Sequence, residues 1–150
     1  MAHFIYPMQN ILSMKEKLEE QAKNDYSQKV VRLNREEEEL ARYKKKKRDA
    51  ENELKEIIEL ELDIELIRKK NEAIDILKFY VSQQVQVVEQ WRSIVLKARE
   101  VLNEAMKERK IHEKLKEKAF DEFRQEENKK EQKEIDELVS YRFGKVRNED

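Results

Sequence analysis

The sequence predicts an all-α fold, a long two-helix antiparallel coiled-coil hairpin whose second helix overhangs the first. Three observations carry this expectation: an aliphatic heptad seam from Ile67 toward His112, a composition with almost nothing that breaks a helix, and a failure of heptad register between Ile58 and Leu66. Stepping by seven from Ile67 meets Ile74, Val81, Val88, Val95 and Leu102 before a charge appears at Arg109. The companion positions Lys70, Leu77, Gln84, Trp91, Ala98, Ala105 and His112 are mixed but mostly apolar through the middle. Leu66, Ala73, Tyr80, Val87, Ile94 and Val101 widen the stripe beyond a narrow seam. A long helix with one apolar side is not stable alone in water, so it requires a partner.

Charged residues make up 45% of the 150-residue chain and apolar residues 38%, with one glycine and one proline. Strands separated by turns need more apolar surface and more turn-forming residues than this, so long helices with solvated faces follow. A disordered tract of the same composition would not keep its aliphatics in register. The 33 basic and 34 acidic side chains nearly cancel, leaving no global field that calls for nucleic acid or an anionic membrane. The absence of cysteine removes disulfide and thiolate chemistry and suits a reducing cytoplasm. Neither a signal peptide nor a membrane-spanning window is expected from the hydropathy pattern.

Taken in order, the chain opens on an apolar and aromatic tip, His3, Phe4, Ile5 and Tyr6, that reads as extended. Pro7 fits a first helical turn, where its missing N–H would be unpaired anyway. A first helix over about 7–59 follows from apolar residues three or four apart, among them Ile11, Leu12, Leu18, Ala22, Tyr26, Leu33, Leu40, Tyr43, Ala50, Leu54 and Ile57. Glu36 and Lys47 stand where apolar residues belong, which predicts loose pairing there. Glu19 with Lys23, Glu38 with Arg42 and Glu51 with Lys55 are spaced as exposed ion pairs four apart. In 58–66 the apolar residues alternate with acids, and the first helix's register does not continue into the second's. A reversal at about 60–63, centred near Glu61, accounts for both, with Asp63 capping the second helix. Residue i then faces roughly residue 122 − i, which sets Leu40 near Ser82 and Ile11 beside Ile111. The second helix, about 64–143 and about 120 Å long at 1.5 Å per residue, outruns the first from about Leu115, with Gly144 ending it.

Catalytic and metal-binding signals are missing. A single glycine excludes a glycine-rich phosphate loop, and two histidines without cysteine make a poor zinc set. Arg109 stands where the Glu-x-x-His motif of di-iron bundles would need its acid. No cofactor, metal or catalytic residue is therefore expected, nor is an enzyme. Trp91 reads as core, His112 as a polar seam residue, and the run Lys44 to Arg48 as a solvated face, although such a run could also hold phosphates or acidic lipid. Phe4, Tyr6, Phe120 and Phe123 read as exposed aromatics available for docking.

Phe4-x-Tyr6 followed by Gln9-x-Ile11-Leu12, the central reversal, Glu108-Arg109-Lys110 with Glu113 to Lys118, Lys130-Glu131-Gln132, Asp136-Glu137 and Arg142-Phe143 resemble the flagellar export family FliJ over the whole chain. The small residue common at that family's turn is absent here. The resemblance implies a cytoplasmic antiparallel coiled coil, similar to the central stalk of rotary ATPases, peripherally associated with the inner face of the cell membrane through the export apparatus. It implies that the termini insert into the hexameric export ATPase FliI, through Phe4, Tyr6, Leu115, Phe120, Phe123, Asp136, Glu137, Arg142 and Phe143. It further implies an export-gate (FlhA) surface at Leu40, Tyr43, Ala73, Leu77 and Tyr80, and a chaperone role toward substrate escort proteins. The alternative from a different class is a self-associating structural coiled-coil scaffold rod, whose seam is satisfied by a second copy of the chain.

Overall fold

The computed structural model describes residues 2–60 and 63–149, with side chains described as far as Lys145. Two long helices pack against each other, α1 over Gln9–Leu60 and α2 over Ile64–Glu149, and no strand occurs among the described residues. The all-α helical hairpin expected from the seam is therefore the observed fold. The centre of the reversal, Glu61 with Leu62, lies outside the described residues.

The ends of the helices follow from their local chemistry. The Tyr6 carbonyl accepts from the Gln9 N–H at 3.1 Å, closing a turn with Pro7 in its second position, and the helix starts two residues after the proline. Asp63 caps α2: its carboxylate accepts from the Leu66 N–H at 3.4 Å and its carbonyl from the Ile67 N–H at 3.1 Å. Gly144 does not end α2, which runs on through it. A glycine stops a helix by adopting the left-handed conformation, and no described glycine has a positive φ.

The chain's contacts fall into two compact units, Glu20–Glu104 and the pairing of Met1–Glu19 with Ala105–Asp150. Within Glu20–Glu104, Glu53 meets Lys70, Tyr43 meets Tyr80 and Arg32 meets Trp91, an antiparallel order. The α2 seam is the one the heptads mark: Ile74, Val88 and Ala98 are buried, and Ile67, Lys70, Leu77, Val81, Gln84, Trp91, Val95 and Leu102 are half-buried. The widening expected along α2 is partial. Val87 and Ile94 turn inward, while Leu66, Ala73, Tyr80 and Val101 remain exposed, because two helices cover little more than a line of side chains on each other. On α1 the line is Ala22, Tyr26, Lys29, Leu33, Glu36, Leu40, Tyr43, Lys47, Ala50, Leu54 and Ile57.

Polar residues within this line meet polar partners. Gln84 Nε2 donates to the Glu36 carbonyl at 2.9 Å and to its carboxylate at 2.6 Å, and Arg32 pairs with the same carboxylate at 3.1 Å. Glu36, expected to loosen the pairing, is met by a facing glutamine that satisfies it. Lys47 lies 3.9 Å from Glu51. Arg32 also covers the Trp91 ring, 5.3 Å from its centroid, so Trp91 is core roofed by a cation.

In the unit that pairs Met1–Glu19 with Ala105–Asp150 the order is again antiparallel, with Lys15 near Glu108 at 3.5 Å and Lys116 donating to Gln9 at 2.6 Å. Leu12 is buried, whereas Ile11 and Ile111, expected side by side, both face outward one residue off the seam. Arg109, the first charge in the α2 seam, forks onto the two carboxylate oxygens of Glu19 through Nε and Nη2 and reaches Glu113 at 2.8 Å. These hydrogen bonds raise its pKa further and hold it charged.

The ion pairs expected four apart are rearranged: Glu19 is taken by Arg109, Arg42 pairs with Glu39 at 3.0 Å, and Glu51 faces Lys47. Only the first of these crosses between helices; the other two stay within α1.

Replacing Gln84 by Ala leaves the Glu36 carboxylate without its cross-helix donor, and urea denaturation should register a loss of about 1–3 kcal/mol. Replacing both Glu36 and Gln84 by Leu should be neutral or stabilising. Unchanged stability in Gln84→Ala, or a loss in the leucine pair as large as in Gln84→Ala, would contradict this reading of the pair.

Candidate functional site

Because the helices bury only a narrow line, the candidate sites are surface patches left beside it. Among the described residues no cluster of histidine and acidic side chains could hold a metal. No described helix is long and apolar enough to cross a membrane.

The aromatic tip is placed differently from the sequence expectation. Phe4 lies 5.3 Å from the Phe120 ring in edge geometry, 5.4 Å from Phe123 and 6.5 Å from Tyr6. Phe4, Tyr6 and Phe123 are half-buried in this cluster, and Phe120 is 44% exposed. They are not free anchors on a bare helix; they strap the segment before α1 onto α2. Edge-to-face and offset rings gain beyond their buried area, which explains why a segment with no helix of its own is held. Beside the strap, Phe4, Leu12 and Phe120 floor an open groove of about 660 Å³ whose rim carries Glu16, Lys110, Glu113 and Lys116. Leu115, another expected contact, is exposed on the same stretch of α2.

From Asn128 to Lys145 every side chain of α2 is exposed. Asp136, Glu137, Arg142 and Phe143 all lie here, with Phe143 73% exposed. Asp136 accepts from Gln132 at 3.3 Å. Ile135, Leu138, Val139 and Arg142 line one hollow, at the spacing that puts them on a single helix face. Glu137, Leu138 and Tyr141 line a second, next to it. Ile135, Leu138 and Val139 are the apolar residues of the stretch expected to overhang α1 and offer a surface, and Tyr141 is an addition to them.

Within Glu20–Glu104, Tyr43 and Tyr80 stack with centroids 5.7 Å apart and planes 16° from parallel, and Phe79 meets Tyr80 at 6.1 Å. Of the other expected residues here, Ala73 is exposed, but Leu40 and Leu77 belong to the seam and are half-buried. Phe79 and Ile76, both more than half exposed, extend the patch; they escape heptad reasoning because they sit outside the seam positions. The Tyr43 hydroxyl bonds to Glu39, which raises the phenol's pKa; burial adds to the rise and Arg42 opposes it.

The chain matches the family model described as "Flagellar FliJ protein" over residues 4–148. Among solved structures it is similar to a chain described as a YscO homolog from Chlamydia trachomatis, with 22% identity, a TM-score of 0.56, and coverage of 92% of this chain and 94% of that one. At this identity the likeness concerns the fold. No curated protein sequence matches.

A raised phenol pKa stabilises the fold below the free value of 10.0, and that contribution is lost as pH rises through the folded value. Alkaline titration followed by NMR of ring-labelled tyrosine should therefore place Tyr43 above the free value, and Glu39→Gln should lower it. An unchanged Tyr43 titration in that variant would remove Glu39 as the cause.

Proposed function

The chain belongs to the FliJ family, which makes it a flagellar or type III export component, and from that membership and its exposed patches we propose that it is a non-catalytic, stalk-like adaptor of the export ATPase. The ATPase-docking surface is the stretch Asn128–Lys145 of α2, with Asp136, Glu137, Arg142 and Phe143 among its contacts and Ile135, Leu138 and Val139 as its apolar face. The observation that carries this reading is that 18 consecutive residues of α2 bear an apolar face with every side chain exposed. A soluble helix rarely leaves such a face bare unless another molecule covers it. Phe4, Tyr6, Phe120 and Phe123 contribute by fixing the N-terminal strap beside Leu115.

The Tyr43–Tyr80 flank, with Ala73 exposed and Leu40 and Leu77 beneath it, is the export-gate surface in the same reading. A coiled coil whose separate faces contact a ring ATPase and a gate can couple nucleotide-driven asymmetry in one to opening of the other, because paired helices transmit displacement along their seam. A chaperone role toward export escort proteins rests on family membership alone.

Hydrolysis by the cognate export ATPase should rise on addition of the chain. Leu138→Ser with Phe143→Ser should weaken binding to that ATPase by about thirtyfold, the size of an interface hot spot, with helix content unchanged. Full stimulation by that variant would count against docking through this stretch, and no stimulation by the wild type would count against the stalk reading itself.

A further inference from the structure

Residues 42–48 hold six cations, Arg42, Lys44, Lys45, Lys46, Lys47 and Arg48, in a chain whose formal net charge is −1. Arg42 and Lys47 have ion-pair partners on α1; Lys44, Lys45, Lys46 and Arg48 have none among the described residues. Arg42, Lys45 and Lys46 are spaced i, i+3, i+4, so they share one face of α1, which Lys46, three residues from Tyr43, joins to the Tyr43 side. On α2, Ile76, Phe79 and Tyr80 repeat the same spacing and are all exposed. The Tyr43–Tyr80 stack sets the two faces side by side. The result is one flank with a cationic strip on one helix and an apolar, aromatic strip on the other. Glu39 is bonded to Arg42, Glu38 and Asp49 lie one turn to either side of the cationic strip, and Glu72 and Asp75 lie one turn before Ile76 and Phe79.

We propose that this flank docks on an anionic lipid bilayer, with Lys45 and Lys46 over the headgroups and Ile76 and Phe79 in the boundary between headgroups and acyl chains. Charge complementarity selects the occupant. Unpaired lysines and arginines are drawn to an anionic surface, each contributing about a fivefold gain in affinity, and the attraction reaches only a Debye length, so the near-neutral total does not cancel it. The apolar strip distinguishes a bilayer from a purely electrostatic polyanion. Phe79 and Ile76 stay more than half exposed, and aromatic rings beside cations suit the interface. Nucleic acid would engage the cations and leave Ile76 without a role. The proposal shares Tyr43 and Tyr80 with the gate surface above but does not rest on that reading.

Co-sedimentation of the full chain with vesicles of 30% phosphatidylglycerol in phosphatidylcholine, compared with pure phosphatidylcholine, tests it. The wild type should pellet only with the anionic vesicles. Lys45→Gln/Lys46→Gln should weaken that binding by about twenty-five-fold. Ile76→Ser/Phe79→Ser should also weaken it, in a way that added salt does not reproduce, and circular dichroism should show unchanged helix in both variants. No pelleting of the wild type, equal pelleting with neutral vesicles, or full binding by either variant overturns the proposal. So does release of the vesicle-bound chain by an equimolar DNA duplex, which would mark the flank as a nucleic-acid surface. Because no gate protein is present, failure here leaves the gate assignment standing, and loss of gate binding leaves the lipid result untouched.

Discussion

An aliphatic residue at every seventh position of α2 from Ile67 to Leu102 forces a choice on the chain: the seam is covered by a second helix, or a line of branched side chains stays in water. Here α1 covers it. The core that results is thin, with Leu12, Ile74, Val88 and Ala98 as its buried members, so apolar area alone does not fix the register of one helix against the other. The polar seam residues supply what the aliphatics lack. Glu36 facing Gln84 and Glu19 facing Arg109 are satisfied in one register, and a slip of either helix would strand a carboxylate or a guanidinium against apolar neighbours. Polar pairs inside a coiled-coil seam cost stability relative to aliphatics and exclude alternative alignments in return.

The same thinness accounts for where function can sit. Two helices that meet along a line leave most of their circumference open, so the surface between seam and solvent is available for partners. The Tyr43–Tyr80 flank and the bare stretch Asn128–Lys145 are such surfaces, and neither is a pocket of the kind that small-molecule chemistry needs. What distinguishes them from ordinary solvated helix is apolar side chains at helical spacing that stay largely exposed. The aromatic strap at Phe4 shows the contrasting outcome, since those rings find each other and the Phe120–Phe123 segment.

Much of this was legible in the amino acids. Heptad counting from Ile67 located the seam of α2 residue by residue, and the register failure after Ile57 placed the reversal, because both depend on local periodicity. The cap at Asp63 was readable for the same reason. What escaped depends on the partner. Glu36 looks like a defect until Gln84 is opposite it, and Glu19 looks like half of a surface pair with Lys23 until Arg109 reaches it. Gly144 reads as a stop signal, yet glycine only permits the left-handed conformation and does not impose it. Phe4 and Tyr6 seemed exposed because no periodicity applies to a segment before the helix. Ile76 and Phe79 were passed over because they lie outside the seam, which is what leaves them available.

The measurement that bears most directly on the account is a distance between Arg35 and Glu89, both exposed and on opposite helices of the seam. Spin labels at these positions, with labelled protein diluted into unlabelled protein, should report a separation of no more than about 25 Å, as expected for helices whose axes lie about 8–10 Å apart within a single chain. A separation near 80 Å, the span of an unbroken helix at about 1.5 Å per residue, would contradict it. So would a short distance that disappears on dilution, since the seam would then be closed by a second molecule.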